Sequence, residues 1–159
     1  MKKILISAFT VLTGMLAHAE SGTTEAFATA PIHVVTNDFG DHKYTIINIK
    51  QGGIILKSDV SWVKAGSTFV AECIGVSTSD SKGSQLDGTC LNTDADGDKY
   101  KNTFSRTNNP GQMNPGTQIY TGLTGKYLGA TGTCTYENKS QTLNSVVFGF
   151  NTVKCNVSK

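Results

Sequence analysis

The stretch TFVAECIGV, residues 68–76, alternates like a β-strand but has no plainly polar face. Successive side chains of a strand point to opposite faces, so Phe69 and Cys73 share one face, whereas Val70 and Ile74 share the other. Strands that are apolar on both faces are typical of a closed barrel, or of a sandwich whose outer wall is partly covered by an oligomer partner or by crossing segments. The stretch therefore predicts a strand of one of these two architectures.

The chain after residue 19 has the sequence features of β-strands throughout. Short runs of β-branched and aromatic residues recur between clusters of Gly, Asn, Asp and Ser, and no long segment has helical periodicity. We therefore predict an all-β protein. The predicted strands cover residues 33–37, 44–50, 53–62, 68–76, 88–93, 98–106, 118–122, 132–137 and 146–157.

The first nineteen residues have the pattern of a secretory signal peptide of bacterial type. Lys2 and Lys3 precede the apolar run 4–16, and Ala17-His18-Ala19 forms a small-residue cleavage site. The apolar run is too short to span a bilayer, and no cysteine follows the cleavage site to carry a lipid. We therefore predict a periplasmic or secreted protein that begins near Glu20 and has no membrane anchor.

The charges of the mature chain balance. The chain has 14 Lys and Arg residues and 12 Asp and Glu residues, and the excess disappears with Lys2 and Lys3. A neutral domain without a cluster of basic residues gives no electrostatic reason to expect nucleic acid or an anionic membrane as a partner. Nucleic-acid binding is therefore not expected.

The mature chain of about 140 residues suits one domain with one core. Residues 20–31 are rich in Thr, Ala and Ser, and we predict that they form a flexible N-terminal arm. The β-domain would then cover residues 32–159. Residues 107–116, which contain two Pro-Gly pairs, are expected to form a long loop at one rim.

The four cysteines are expected to be paired, because the predicted compartment is oxidising. Sequence alone allows three pairings. Cys73 and Cys90 lie about equally far from the turn-rich residues 77–85, and Cys134 and Cys155 flank residues 138–145 in the same way. If each stretch is the tip of a hairpin, each pair faces across two neighbouring strands. We therefore predict the disulfides Cys73–Cys90 and Cys134–Cys155.

Two motifs resemble a known family. The segment TGLTGKYLGATG, residues 121–132, resembles the GTGKYxGAxG segment of dirigent-like and allene oxide cyclase-like barrels and of small secreted bacterial proteins of unknown function. GTCLNTDADGDKY, residues 88–100, also resembles a segment of those bacterial proteins. The glycines of the first motif permit a sharp turn between two strands, and Tyr127 can plug the end of a barrel.

The resemblance implies a single closed antiparallel β-barrel of about eight strands with a central cavity, commonly in a homo-oligomer. The plant members bind hydrophobic or phenolic small molecules in the barrel. None of their catalytic residues is matched to a position of this chain, so the resemblance assigns no catalytic residue.

The stretch NTDADGD, residues 92–98, allows two interpretations. If Gly97 is placed at the glycine of an EF-hand loop, Asp94 and Asp96 fall on ligand positions, but the twelfth position is Thr103 instead of a glutamate. The alternative is a hairpin that turns at Asp96 and Gly97 without an ion. Three carboxylates so close together repel one another, so weak calcium binding at Asp94, Asp96 and Asp98 would relieve them. No other cofactor is predicted.

The sequence favours a non-catalytic binding module over an enzyme. It contains no GxSxG nucleophile motif, and paired cysteines leave no free thiolate. A hollow barrel would bind a small apolar ligand, and the aromatic side chains expected to line the pocket are Phe69, Phe104 and Phe148. A filled barrel would instead bind a protein through the loop 107–116 together with the acidic turn. An isomerase or cyclase with ionisable residues in the cavity is the alternative.

Overall fold

In the computed structural model, which describes residues 19–159, eight antiparallel strands close into a barrel in sequence order. The strands are β1 (Ala19–Asp38), β2 (Lys43–Ser58), β3 (Thr68–Asp80), β4 (Gly83–Asp94), β5 (Lys99–Asn108), β6 (Gly116–Gly122), β7 (Thr131–Leu143) and β8 (Val146–Ser158), with one 3-10 turn at Gly125–Tyr127. Each strand pairs with the next, and β8 pairs with β1. The predicted closed barrel is therefore confirmed, and the sandwich is excluded. The predicted signal peptide lies outside the described residues except for Ala19.

Residues 20–31 are not a loose arm, because they form the first part of β1. This segment pairs with β8 from Ala19↔Ser158 to Pro31↔Val146, and with β2 on its other side. Closure of the barrel requires a strand between β8 and β2, and the N-terminal segment supplies it. Its alanines suit the inner wall, where Ala26 and Ala30 are buried. The barrel domain therefore begins well before residue 32.

The predicted strands 44–50 and 53–62 are one continuous strand, β2. Gly52 and Gly53 do not end the strand, because both keep their partners on β1 and β3. Residues 59–62 lie beyond the end of β2, in the connection to β3. The number of strands is eight instead of nine for this reason.

Interior aromatic rings explain three of the glycines. In three places an aromatic residue lies directly opposite a glycine of the neighbouring strand, and a methyl group on the glycine would overlap the ring. The pairs are Phe69 with Gly53, Phe104 with Gly88, and Tyr136 with Gly116. Each ring thus fills the space that the glycine leaves inside the barrel.

The closed rim is the end of the barrel at which β1, β3, β5 and β7 begin. Its core contains two buried tyrosines, Tyr120 and Tyr127, and the partly buried Trp62 and Tyr100 pack against them. The segment between β6 and β7 turns sharply because Gly125 and Gly129 have positive φ, of 51° and 83°. Tyr127 is 3 % exposed, so it plugs this end of the barrel as its motif predicts.

The open rim is the opposite end, at which β1, β3, β5 and β7 end. Here the inner wall is polar and accessible: the Thr36 and Thr45 hydroxyls lie 3.0 Å apart, and Asn108 donates to Ser84. Val34, which pairs with Ile47 of the inner wall, is 53 % exposed. Among the residues that the structure describes, no large side chain is less than 2 % exposed. The barrel is therefore plugged at one end and accessible at the other.

Both predicted disulfides are confirmed. Cys73 bonds Cys90 across β3 and β4, and Cys134 bonds Cys155 across β7 and β8. In each pair the two residues are directly opposite each other, with Cα atoms 4.0 and 4.1 Å apart.

In residues 19–159 the structure has no helix long and apolar enough to cross a membrane.

Candidate functional site

The acidic turn, residues 94–98, joins β4 to β5, so the predicted hairpin is confirmed. Asp94 shapes the turn, because its Oδ1 accepts the backbone N–H groups of Asp96 at 2.9 Å and of Asp98 at 3.0 Å. Gly97 has a φ of 84°, a conformation that glycine adopts without strain. The hairpin is therefore held by its own side chain and backbone.

Lys126 brings a positive charge to the acidic turn from the connection between β6 and β7. Its Nζ lies 2.5 Å from Asp94 Oδ2 and 2.6 Å from Asp96 Oδ2. The Tyr127 hydroxyl donates to the same Asp94 oxygen at 2.9 Å, and Asp98 Oδ2 accepts the backbone N–H of Lys126 at 3.0 Å. The ammonium group thus occupies the position between Asp94 and Asp96 that a bound cation would take.

The ionisation of this cluster follows from its contacts. Burial alone would raise the pKa of Asp94, but the hydrogen bonds from Lys126, from Tyr127 and from the backbone of the turn outweigh burial and lower it. The pKa of Lys126 is raised, chiefly by its bonds to Asp94 and Asp96. At neutral pH Asp94 and Lys126 are therefore both charged, and their contacts hold Tyr127 against the β4–β5 hairpin.

The described residues contain no group of three or more His, Cys, Asp or Glu side chains that could hold a metal ion. Asp94 and Asp98 are turned toward donors from the β6–β7 connection, and Asp96 is 73 % exposed. Weak calcium binding at these three residues stays a prediction, with Lys126 as a competitor for the same oxygens.

The tyrosines of the closed rim are held in the neutral form. Burial, with a smaller effect from the charge of Asp94, raises the pKa of Tyr100 to about 12. Burial is also the largest cause of the raised pKa values of Tyr120 and Tyr127. The Tyr127 hydroxyl donates to Asp94, whereas the Tyr120 hydroxyl is buried without a hydrogen-bond partner among the described residues.

The three phenylalanines predicted to line one pocket do not lie on one face. Phe69 and Phe104 point into the barrel, each over a glycine. Phe148 is on the outer wall and is 39 % exposed, because it is an odd number of residues from the inward-facing Cys155 on the same strand. A lumen pocket built from all three is therefore wrong, and only Phe69 and Phe104 belong to the lumen.

The proposed protein-binding surface is also divided by the fold. The acidic turn lies at the closed rim, whereas the loop between β5 and β6, residues 109–115, lies at the open rim. The ten residues of β5 separate them by about 30 Å. The acidic turn and this loop are therefore at opposite ends of the barrel, and a contact surface that includes both would have to run along the wall between them.

Sequence reasoning missed Arg106, the one arginine of the chain. It lies on β5 near the open rim, and its guanidinium carbon is 5.8 Å from the centre of the ring of Tyr136, which is 6 % exposed. Its Nε and Nη1 are buried and have no hydrogen-bond partner among the described residues. The alternation that places Phe104 on the inner wall would have placed Arg106 there as well, had it been extended by two residues.

Two asparagines in the open half of the barrel also have polar atoms without partners. Asn138 and Asn151 lie directly opposite each other on β7 and β8, and the Oδ1 atom of each is buried without a partner within residues 19–159. Asn138 is two residues after Tyr136, so its side chain points to the same face of β7. The open half of the lumen therefore holds a fixed positive charge together with unpaired amide oxygens.

Among the depressions along the strands, two have volumes of about 720 and 500 Å³ and are lined mostly by outward-facing residues. The larger runs across β4–β8 and includes the exposed residues Thr103, Ile119 and Lys154. The smaller runs across β1–β5 past the ion pair Lys50–Glu72. Neither includes Arg106 or the acidic turn, so the chemically distinctive groups lie elsewhere, in the lumen and at the closed rim.

Neither the protein-family models nor the curated proteins compared with this chain contain a match to it.

Proposed function

We propose that the protein is a non-catalytic binding module that takes a small molecule into the lumen through the open rim. The observation that carries the proposal is Arg106, whose Nε and Nη1 are buried and unpaired on the inner wall near an accessible rim. Buried polar groups are nearly always paired, so an unpaired set inside an accessible barrel favours a site that is completed by a ligand. The inner rings of Phe104 and Tyr136 supply the apolar walls of such a site.

The proposal includes a periplasmic or secreted location. Two disulfides stabilise the barrel, and disulfides persist in oxidising compartments. The sequence of residues 1–19 adds the charge and hydrophobicity pattern of a signal peptide. A small domain that is stapled in this way suits a protein that works outside the cytoplasm.

We also propose kinship with the dirigent-like and allene oxide cyclase-like barrels. Its support is the eight-stranded antiparallel topology, together with the position of the motif at residues 121–132, where it turns the chain between β6 and β7 and plugs the barrel. Kinship of fold implies a place for a ligand but no particular chemistry.

Binding is favoured over an isomerase or cyclase by the ionisable groups of the lumen. Proton transfer in catalysis needs a group whose pKa lies near the working pH. On the lumen side of the open half, Arg106 stays charged and the pKa of Tyr136 is raised chiefly by burial, so neither is a base at neutral pH. Asp38 and Lys43 lie beyond the two rim threonines and pair with each other at 3.4 Å, so this half of the lumen suits recognition better than proton abstraction.

The lumen proposal is tested with a matched pair of substitutions at the open rim. Ser77 faces inward in line with Cys73, and Thr78 faces outward beside it on β3. Native mass spectrometry of the secreted protein should reveal a small-molecule adduct that survives in Thr78→Trp and is lost in Ser77→Trp, because only the latter blocks the mouth. An adduct that persists in both variants, or none in the wild type and in small-molecule thermal-shift screens, would refute lumen binding.

A homo-oligomer is a second candidate, and the outer wall supports it. Phe27 and Phe150 pack with ring centres 5.0 Å apart on this wall, and Ile54 lies opposite Phe27. The neighbouring ion pair Lys57–Glu25 offers both signs of charge, as a self-complementary surface requires. Sedimentation analysis should show an oligomer that Phe150→Ser dissociates, whereas a monomeric wild type would rule out self-association.

A further inference from the structure

We propose that Arg106 is the specificity-determining residue of the lumen and that it binds the carboxylate of a small organic acid. This inference rests on the proposed function and adds the chemical class of the ligand. It is based on two observations at Arg106 on the inner wall: its charge has no paired carboxylate, and two of its nitrogens have no hydrogen-bond partner within the described part of the chain.

The charge of Arg106 has no paired carboxylate among residues 19–159. In the part of the chain that the structure describes, the ion pairs involve lysines and one histidine, and none involves Arg106. Asp87 lies one strand away, but its carboxylate is on the outer wall, where Gln85 donates to it at 3.1 Å. Arginine cannot neutralise itself by losing a proton. Arg106 therefore places a permanent positive charge on the inner wall that no carboxylate of the described residues contacts directly.

The guanidinium is also fixed in position before any ligand arrives. It lies over the ring of Tyr136, and that ring is held over Gly116 and against Phe104, whose ring centre is 6.5 Å away. When a guanidinium lies over an aromatic ring, its N–H groups point outward in the plane of the guanidinium. Arg106 is half-buried as a residue while its Nε and Nη1 are buried, so a ligand that enters through the open rim reaches these atoms only when the side chains around them move.

The surroundings favour an organic acid over an inorganic anion. A hydrated sulfate or phosphate gains from several cationic or backbone N–H donors, whereas the neighbours of this single arginine are the rings of Tyr136 and Phe104. An aromatic body would pack against those rings while its carboxylate pairs with the guanidinium. Asn138 and Asn151 then offer unpaired amide oxygens to a hydroxyl or amine group of the same ligand.

The test measures binding of benzoate, 4-hydroxybenzoate, benzamide and sulfate to the intact secreted protein by calorimetry. We expect both carboxylates to bind, and benzamide and sulfate to bind roughly tenfold more weakly or not at all, because they lack either the charge or the ring. Arg106→Met should weaken the carboxylates by roughly tenfold or more. Lys101→Met, an outward-facing cation on the same strand, should leave binding unchanged.

A second readout is independent of any ligand. Removal of an uncompensated buried charge should raise the melting temperature of Arg106→Met in the absence of ligand, whereas Arg106→Lys should not share this gain. Carboxylate binding that Arg106→Met does not weaken would overturn the role of Arg106, as would equal binding of benzamide or stronger binding of sulfate. If Ser77→Trp still blocks ligand uptake in that case, lumen binding itself stands. Failure of the wild type to bind either carboxylate would refute the inference.

Discussion

Asp94 connects three parts of the chain at the closed rim. Its carboxylate shapes the β4–β5 turn, accepts the hydroxyl of the Tyr127 plug and pairs with Lys126, and its side chain is only 6 % exposed. A buried carboxylate with this many donors is stable only in the charged form. We infer that the charge of Asp94 decides how firmly this end of the barrel is closed.

We expect Asp94→Ala to reduce the free energy of unfolding by about 2–3 kcal/mol, since it removes charge-assisted hydrogen bonds and leaves their donors unpaired. Asp96→Ala is the matched control, because Asp96 is 73 % exposed and binds the same ammonium. Its loss should be less than about 1 kcal/mol. Urea denaturation measures both, and equal losses would contradict the assigned role of Asp94.

The lowered pKa of Asp94 has a consequence for acid stability. A carboxyl whose pKa is lower in the folded state stabilises the fold fully above its unfolded pKa, ordinarily 3.8, and loses this effect as the pH falls through the folded pKa. The stability difference between the wild type and Asp94→Asn should therefore be constant near pH 6 and shrink below about pH 4. Melting temperatures from pH 6 to pH 3 measure this, and a difference that grows in acid would contradict it.

Calcium binding at the acidic turn is a separate prediction. Lys126 competes for the oxygens of Asp94 and Asp96, so Lys126→Met should expose the site. We expect millimolar calcium to raise the melting temperature of Lys126→Met more than that of the wild type, relative to EDTA. The same amount of magnesium is the control for nonspecific screening. If calcium shifts neither protein, the calcium hypothesis is wrong.

At the scale of the elements, the neighbouring glycines Gly52 and Gly53 of β2 allow the steric cost of an added methyl group to be measured apart from its effect on backbone flexibility. Gly53 lies under the ring of Phe69, whereas Gly52 beside it has open space at the position of a Cβ atom. Gly53→Ala should cost about 1–3 kcal/mol by forcing the ring away. Gly52→Ala should be neutral or slightly stabilising, because it only restricts the unfolded chain. If chemical denaturation gives the same loss for both, the ring-over-glycine packing is not what β2 requires.

The turn of the β7–β8 hairpin has a strained backbone that a substitution can relieve. Asn144 and Ser145 form its two-residue turn, and both have positive φ, of 50° and 64°. Such turns favour glycine at the second position, where serine is strained. Ser145→Gly should stabilise the protein by up to about 1 kcal/mol. Asn144→Gly is the control and should gain less, because asparagine tolerates this conformation. A destabilised Ser145→Gly would contradict the assignment of strain to this turn.

At the scale of the whole molecule, the two disulfides staple two separate hairpins of the barrel. They close loops with sequence separations of 17 and 21 residues. Because chain entropy depends only weakly on loop length, the double replacements Cys73→Ser/Cys90→Ser and Cys134→Ser/Cys155→Ser should each cost about 3 kcal/mol. Thermal unfolding of both variants tests this. If either replacement leaves the stability unchanged, that crosslink does not constrain the unfolded chain.

The barrel as a whole has two unlike ends. The closed rim is filled by aromatic rings and fastened by Asp94 and Lys126, whereas the open rim exposes hydroxyl and amide groups around Arg106. In the proposed function, a ligand enters at the open rim, and the closed rim maintains the fold.

The sequence by itself predicted an all-β fold, favoured one of three disulfide pairings and indicated the plug. The two-faced apolar stretch 68–76, the symmetric spacing of the cysteines about turn-rich segments, and the glycines around Tyr127 are local patterns, and local sterics act the same way in any context. The turn at Gly97 belongs to the same group. These features needed no knowledge of distant residues.

Only the tertiary structure decided which residues meet in the lumen and which are separated. Residues 20–31 have no strand pattern of their own and become β1 because closure supplies partners on both sides. Phe148 lies on the outer wall because the parity of β8 is set by the disulfide of Cys155. Lys126 of the β6–β7 connection meets Asp94, and Arg106 of β5 meets Tyr136 of β7, through a register that no local pattern specifies. The candidate site is therefore a product of barrel closure, since burial without a partner exists only once the sheet has closed on itself.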